Sequence, residues 1–332
     1  MTIPRIGGSI ALVGVLVLFA GAAISQTTYS GSGQAYPNKS IRMLAPEPGS
    51  NHEIAGRIVA QGISPGLGQP ILVEGRGSAS GAIAGEIVAK ATPDGYTLLY
   101  YGSTIWLLPS LRKSVPFDPV RDYAPVALVT KGPFLVYVHP SIPVESLKEL
   151  VAYAKARPGM LNYGSAGSGA ASHLSAELFN AVGGIKLSRI PYRGSALAAN
   201  ALVAGEVQVY FGSASSALMQ YRAAGKLKVL AVASSTPSPL TPDVPTAAAS
   251  GLPGYEAASL SGLFAPAKTP RAIIARLNQE IVRAIARPEV KERIMNAGLE
   301  TVGGTPEEFA AVVKEEIAKW GKVIRDGGIR EE

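Results

Sequence analysis

Gly164, Ser165, Ala166, Gly167, Ser168, Gly169, Ala170, Ala171, Ser172 and His173 follow the strand-like Asn162-Tyr163 and run straight into a helical stretch over 174–182. Residues this small let a ligand approach the backbone closely. The unpaired N–H groups of a helix's first turn then point at whatever sits there and favour an anion. A second loop of this kind, Glu47-Pro48-Gly49-Ser50-Asn51, stands more than a hundred residues upstream. Two cradles in one chain predict a ligand gripped from both sides. Backbone amides and Ser/Thr hydroxyls hold a carboxylate at about 1.5–3 kcal/mol per charge-assisted bond, with no arginine required.

The same residues are poorly equipped for catalysis. Gly167-Ser168-Gly169 begins like a dinucleotide fingerprint, but the third glycine position is Ser172. The chain has no Gly-x-Ser-x-Gly elbow, no Gly-x-x-x-x-Gly-Lys phosphate loop and no His-Glu-x-x-His. Its three histidines, His52, His139 and His173, are far apart in sequence. His52-Glu53 beside His173 across a closed cleft is the one arrangement that would make a metal or acid/base site. A hydrolase or metal-dependent enzyme is therefore the lesser reading. His173 is read as a packed or ligand-facing hydrogen-bonding residue, and no catalytic residue, metal or cofactor is assigned.

Such loops need strands to feed them and helices to receive them. β-rich runs at 41–44, 71–74 and 97–101 alternate with helical periodicity at 54–67 and 82–91, the latter stopped by Pro93-Asp94-Gly95. A second series has strands at 135–138, 187–190, 207–211 and 229–232, with helices at 147–156, 174–182 and 197–204. The alternation predicts two α/β units with parallel sheets. Ligands in such sheets sit beyond the carboxyl ends of the strands, which nominates the loops at 48–53 and 102–104 in the first unit and at 165–173, 192–195 and 212–213 in the second.

After Ala233 come Pro237, Pro239, Pro242, Pro245, Pro253 and Pro266, too many prolines for central strands or long helices. Helical periodicity then returns, with Ile273, Leu277, Ile281 and Ile285 on one face and Phe309, Val313, Ile317 and Trp320 on another. Thr305-Pro306-Glu307-Glu308 combines a cap, a first-position proline and early carboxylates. This tail is expected to brace the first unit, so that strands near 124–129 and 229–233 cross between lobes as a hinge. The expected organisation is a first lobe over 36–125 and 232–332 and a second lobe over 126–231.

Composition narrows the setting. Of 332 residues, 47% are hydrophobic and 17% charged, the make-up of an ordinary compact protein. The formal net charge of +7 comes from scattered Lys and Arg, which favours anions by long-range attraction and not nucleic acid. Met1 to Arg5 carries one positive charge and precedes an apolar stretch over 6–24, and Ala23-Ile24-Ser25 places small residues where a signal peptidase reads. A membrane anchor is the alternative for a stretch close to the ~20 residues that span a bilayer. The small residues at its end and the polar Gly/Ser tail at 26–35 favour a cleaved signal peptide over 1–25 and a flexible segment over 26–35, leaving a periplasmic protein.

Together the residues resemble the Bug/TctC family, the extracytoplasmic solute-binding receptors of tripartite tricarboxylate transporters. The matching blocks include Tyr36-Pro37-Asn38-Lys39-Ser40-Ile41-Arg42, Pro48-Gly49, Leu67-Gly68-Gln69-Pro70, Pro93-Asp94-Gly95-Tyr96-Thr97-Leu98-Leu99 and Leu161-Asn162-Tyr163-Gly164-Ser165-Ala166-Gly167-Ser168-Gly169. They continue with Pro191-Tyr192-Arg193-Gly194-Ser195, Ala224-Gly225-Lys226-Leu227, Pro242-Asp243-Val244-Pro245-Thr246 and Gly251-Leu252-Pro253-Gly254-Tyr255. The resemblance implies a two-lobed, periplasmic-binding-protein-like (type II) fold that closes on a small carboxylate like a Venus flytrap. It implies a monomer that presents the solute to the membrane components of a transporter. A sensor docking on a signalling receptor would use the same ligand site.

The ligand-binding candidates are Ser50, Asn51, His52, Tyr101, Ser103 and Thr104 from the first lobe. From the second they are Ser165, Gly167, Ser168, Gly169, Ser172, His173, Tyr192, Arg193, Gly212 and Ser213. Two departures from the family pattern bear on the solute. The first loop reads Pro48-Gly49-Ser50-Asn51-His52-Glu53, where relatives commonly carry Pro-Gly-Gly and then a Thr-Asp pair. Gly212 also stands where many carry an aspartate. The usual partner of a ligand amine is thus missing, so a mono- or dicarboxylate without an ammonium group is expected. Tyr101 and Trp106 offer either a stacking surface for an aromatic acid or core packing.

Overall fold

Ile41, Met43, Leu44 and Ala45 are completely buried in β1 (Ile41–Ala45), which runs parallel to β2 (Ile71–Gly75) on one side and β3 (Thr97–Gly102) on the other. This computed structural model describes residues 36–166 and 169–330. The signal and flexible segment expected over 1–35 lie outside the described residues, as do Gly167 and Ser168.

The sheet continues from β3 through β9 (Ala258–Pro266) to β4 (Tyr123–Val138), each pair antiparallel, and β10 (Glu300–Thr301) pairs with β4 as well. β4 then changes partners. From Tyr123 to Pro133 it pairs with β9, and from Phe134 to Val138 it pairs with β7 (Val209–Ser213) and β8 (Lys228–Val232). Beyond β7 lie β5 (Asn162–Ser165) and β6 (Ser188–Pro191), all parallel. At the exchange point three backbone bonds lace distant segments together: Phe134 N to Ala257 O at 3.0 Å, Ala233 N to Phe134 O at 2.7 Å and Ala257 N to Ala233 O at 2.9 Å.

Both faces of each sheet half are covered, as strand alternation requires. Ile41, Met43, Leu98 and Tyr100 pack in one core with α1 (Asn51–Leu67), α8 (Arg271–Ala286) and α9 (Pro288–Asn296). Leu44, Leu99 and Tyr101 face the other way, with α2 (Ala82–Ala89), α3 (Ser103–Leu111) and α10 (Pro306–Asp326). In the second half Val136 and Val138 face α4 (Leu147–Lys155) and α5 (Ala171–Gly183). Leu135 and Tyr137 instead face α6 (Ser195–Val203) and α7 (Ser216–Ala223).

Most sequence-predicted elements appear within a residue or two. The expected helix start at Thr305 is a full capping box: Thr305 Oγ1 accepts from Glu308 N at 3.1 Å, and Glu308 Oε2 accepts from Thr305 N at 2.8 Å. The helix it opens packs on α3 and β4 and reaches α5. One expectation is corrected. The proline-rich stretch after Ala233 was expected to hold no central strand, yet β9 lies between β3 and β4 with seven of its nine residues buried. Its only proline, Pro266, is the last residue of the strand, where no further ladder bond is lost.

Gly262 shows how tightly β9 is held. A Cβ there would collide with the ring of Phe309 and stand 2.7 Å from the carbonyl oxygen of Ala127, which is backbone and cannot swing away. Phe309 in turn packs on Phe264 at 4.7 Å and Trp106 at 6.1 Å. Gly262→Ala should therefore destabilise the fold by about 1–3 kcal/mol through overpacking, read as a lower urea midpoint. An unchanged midpoint would refute this packing.

Candidate functional site

Four helices begin around one space. α1 follows the loop after β1, α5 the loop after β5, α6 the loop after β6 and α7 the loop after β7. Their first residues line a cavity of about 580 Å3, with Ser50, Asn51 and His52 on one side and Ala170, Ala171, Ser172, Gly194, Ser195, Ala196 and Ser215 on the other. Gly212, Ser213, Tyr210 and Phe211 of β7, together with Phe134, Ser259 and Leu299, complete the wall. The volume lies in the range of small-molecule sites.

The four helix ends differ in what they do with their free amides. Ser50 caps α1, its hydroxyl accepting from Glu53 N at 3.2 Å, and Ser215 caps α7, accepting from Leu218 N at 3.3 Å. The N-caps of α5 and α6 are Ala170 and Gly194, and neither supplies a side-chain bond. Among the described residues no side chain caps the first turn of α5 or α6, so these turns present their donors and the partial positive charge of the helix dipole. Among the described lining residues none is Lys or Arg. The attraction for an anion is carried by backbone dipoles.

The first loop is locked from within. Gly49 adopts a left-handed φ of 81°. Glu53, 3% exposed, turns its carboxylate back to accept from Gly49 N at 3.3 Å while pairing with Arg57. His52 is held between two hydroxyls of β9, Nε2 lying 2.6 Å from Ser259 Oγ and Nδ1 2.7 Å from Ser261 Oγ. Burial pushes its pKa down to about 4, so the ring is neutral at pH 7. One serine then donates to it and the other accepts. Glu47 lies at the cavity's edge, its carboxylate against the α-carbon of Gly77.

The second loop is also self-braced. Ala166 N donates to Ser172 Oγ at 3.0 Å, and Gly169 N donates to His173 Nδ1 at 3.1 Å. His173 stacks on Tyr163, whose hydroxyl donates to Glu177 Oε1 at 2.6 Å. Burial, with Arg189 nearby, pushes the His173 pKa down to about 4. Nδ1 is therefore free to accept, and the imidazole serves as a loop brace. Ser165 is completely buried and accepts from Arg189 Nε at 2.8 Å.

Of the sequence-nominated residues, Ser50, Asn51, His52, Ser172, Gly212 and Ser213 are brought together on the cavity wall. Ser165, Gly169 and His173 stand behind it. Tyr101 is buried with its hydroxyl on the Arg76 carbonyl at 3.2 Å, and Ser103 and Thr104 open α3, Ser103 Oγ accepting from Leu260 N at 3.4 Å. Tyr192 turns to Glu206, 3.3 Å away, and Arg193 is exposed. Trp106, 1% exposed, packs between Phe264 and Phe309 and belongs to the core. Tyr210 was not nominated, although it shares a strand face with Gly212 by simple alternation. Ser259 and Leu299 arrive from distant segments with no local signal.

Known proteins share this architecture. The family model described as "Tripartite tricarboxylate transporter family receptor" matches residues 55–329. Protein BugT of Bordetella pertussis is 33% identical over 324 residues, 97% of this chain and 98% of that protein. The solved structure of R. palustris Rpa4515 with adipate aligns with a TM-score of 0.77 at 32% identity, covering 89% of this chain and 99% of that one. MatC (Rpa3494) from Rhodopseudomonas palustris with bound malate aligns with a TM-score of 0.73 at 32% identity, covering 87% and 100%. The strand exchange in β4 is accordingly the crossover of a two-lobed periplasmic solute-binding fold, and the chain belongs to the TctC family of tripartite tricarboxylate transporter receptors.

Proposed function

We propose that this protein is exported to the periplasm, captures a small carboxylate between its lobes and presents it to the membrane components of a tripartite tricarboxylate-type transporter. The observation that carries the reading is the pair of helix N-termini, α5 and α6, that lack side-chain caps and open onto a cavity lined by no described Lys or Arg. Such amides suit a carboxylate, and each charge-assisted bond is worth about 1.5–3 kcal/mol. The adipate and malate held by the two solved relatives are small carboxylates. The signal-like segment over 1–25 supports export.

The ligand-contacting residues in this reading are Ser50, Asn51, His52, Ser172, Gly212 and Ser213, with Ser165, Gly169 and His173 behind them. In this reading the lobes meet where β4 changes partners, at Pro133 and Phe134, eight residues past the boundary expected at 125/126. The second lobe takes the carboxylate on α5 and α6, and closure brings the α1 loop onto its exposed end. The closed state is favoured by the extra contacts made only there. Among the described lining residues no acidic side chain adjoins Gly212, where many relatives carry an aspartate, so an ammonium group lacks that partner.

Calorimetric titration with adipate, malate and benzoate should give binding, with glutamate at least tenfold weaker; tight binding of the amino acid alone would overturn the reading. Gly169 is a poor probe, because its φ is 72° and a Cβ would meet Leu111. Ala171→Pro is cleaner. It removes one amide at the first helical position, where proline is tolerated, and Ala170 already has the extended φ −60°, ψ 152° that precedes proline. Affinity for the carboxylate should fall about tenfold or more with the melting temperature retained.

His52 and His173 set the pH dependence. Both have folded pKa values near 4, below the ordinary 6.5, so the unfolded chain binds more protons than the folded one in that interval. Stability is complete above pH about 6.5 and is lost as pH falls towards about 4. Melting temperatures of His52→Gln and His173→Gln should show a shallower fall over this window than the parent.

A further inference from the structure

The geometry points to Tyr210, wedged over Gly212 on the wall it shares with Ser195, as the residue that selects which carboxylate the cavity accepts. The inference rests on the carboxylate-capture reading and adds a second requirement to it, an oxygen acceptor at another point of the ligand.

Tyr210 and Gly212 are two apart on β7 and both line the cavity. A Cβ on residue 212 would stand 2.5 Å from Tyr210 Cε1 and 2.8 Å from both Cζ and Oη. The phenol therefore lies over the α-carbon of Gly212, in space that any other residue at 212 would claim. Tyr137 packs near it, with ring centroids 6.0 Å apart, and Tyr137 is itself tied by its hydroxyl to Ser213 O at 3.3 Å. The ring is wedged, 4% exposed, and it lines the cavity together with Ser195, the first residue of the uncapped helix α6.

A bond between the Tyr210 and Ser195 hydroxyls would use only one of their two protons. Whichever of Tyr210 and Ser195 donates to the other, one O–H remains for a third group. Burial pushes the phenol up to about 12, so it stays protonated and neutral. The pair delivers one hydrogen bond to a ligand oxygen and offers no negative charge to a cation. Because the ring is already wedged, little rotamer entropy is lost when it makes that bond. Acids carrying a second oxygen acceptor, dicarboxylates and hydroxy acids, are favoured over plain monocarboxylates of the same length.

The test is calorimetry on the full protein with two matched pairs, adipate against hexanoate and malate against butyrate. The parent should prefer the oxygen-bearing member of a pair by tenfold or more. Tyr210→Phe should cut that preference about tenfold with the melting temperature retained, since only the hydroxyl is lost. Ser195→Ala should do the same, and the double variant should be no worse than either single one. Equal preference in the parent and Tyr210→Phe overturns the selector role and leaves carboxylate capture standing. Failure of the parent to bind any of the four acids overturns both. The wedge has its own readout, free of ligand. Gly212→Ala should lower the melting temperature in the parent and lower it much less in a Tyr210→Ala background; a neutral Gly212→Ala overturns the wedge.

Discussion

Everything about this molecule depends on β4 serving two sheets. Its first eleven residues pair with β9 and its last five with β7 and β8, so one strand fixes how the loop ends of one lobe face those of the other. An extended backbone can do this because its hydrogen bonds point sideways along its whole length and each stretch can take a different partner. The junction is also reinforced locally. Phe134, Ala233 and Ala257 exchange backbone bonds at 2.7–3.0 Å, so the return path of the chain is tied to the outgoing one where the sheets part. One hydrophobic core, containing Leu44, Leu99 and Phe309 as well as Val136, Tyr163 and Phe211, runs past this junction and helps to set it.

Given that frame, the electrostatics of the cavity follow from which helix ends are satisfied. Ser50 and Ser215 satisfy their helices internally, whereas Ala170 and Gly194 leave theirs open. An arginine in the cavity would attract an anion more strongly, but it would also have to be desolvated on every closure. Fixed backbone dipoles avoid that cost and hold their direction with no side-chain entropy to lose. Polar side chains on and behind the wall serve this rigidity. Ser172 and His173 accept from amides of their own loop, and Glu53 accepts from Gly49.

Much of this was legible in the sequence because local chemistry sets it. The strand alternation, the Thr305 to Glu308 capping box and the glycine-serine run after β5 each carry their signal within a few residues. What was not legible arose from distance. β9 was obscured by the prolines at 237–253, because proline density marks a region as irregular without saying where it ends. Ser259 and Ser261 meet His52 across more than two hundred residues, a pairing that no periodicity encodes. Tyr101, Ser103 and Thr104 were nominated because they follow a strand, yet the packing of α3 draws them towards the core and β9. A loop after a strand indicates a binding surface only when the next helix leaves its first turn uncovered, and that is decided by tertiary packing.

The character of the wall follows from the same logic. His52 is kept neutral between two serines, Tyr210 is kept neutral by burial, and among the described lining residues Glu47, at the edge beside Gly77, is the one acid. A wall of neutral donors opposite two open helix ends gives a field of one sign, positive and diffuse. Such a field attracts anions in general and says little about their shape. Shape must then be read by groups whose positions are fixed before the ligand arrives, and fixing requires packing on several sides. Gly212, by having no side chain, supplies one of those sides for Tyr210. Selectivity at this wall is therefore set by what the strand omits as much as by what it presents.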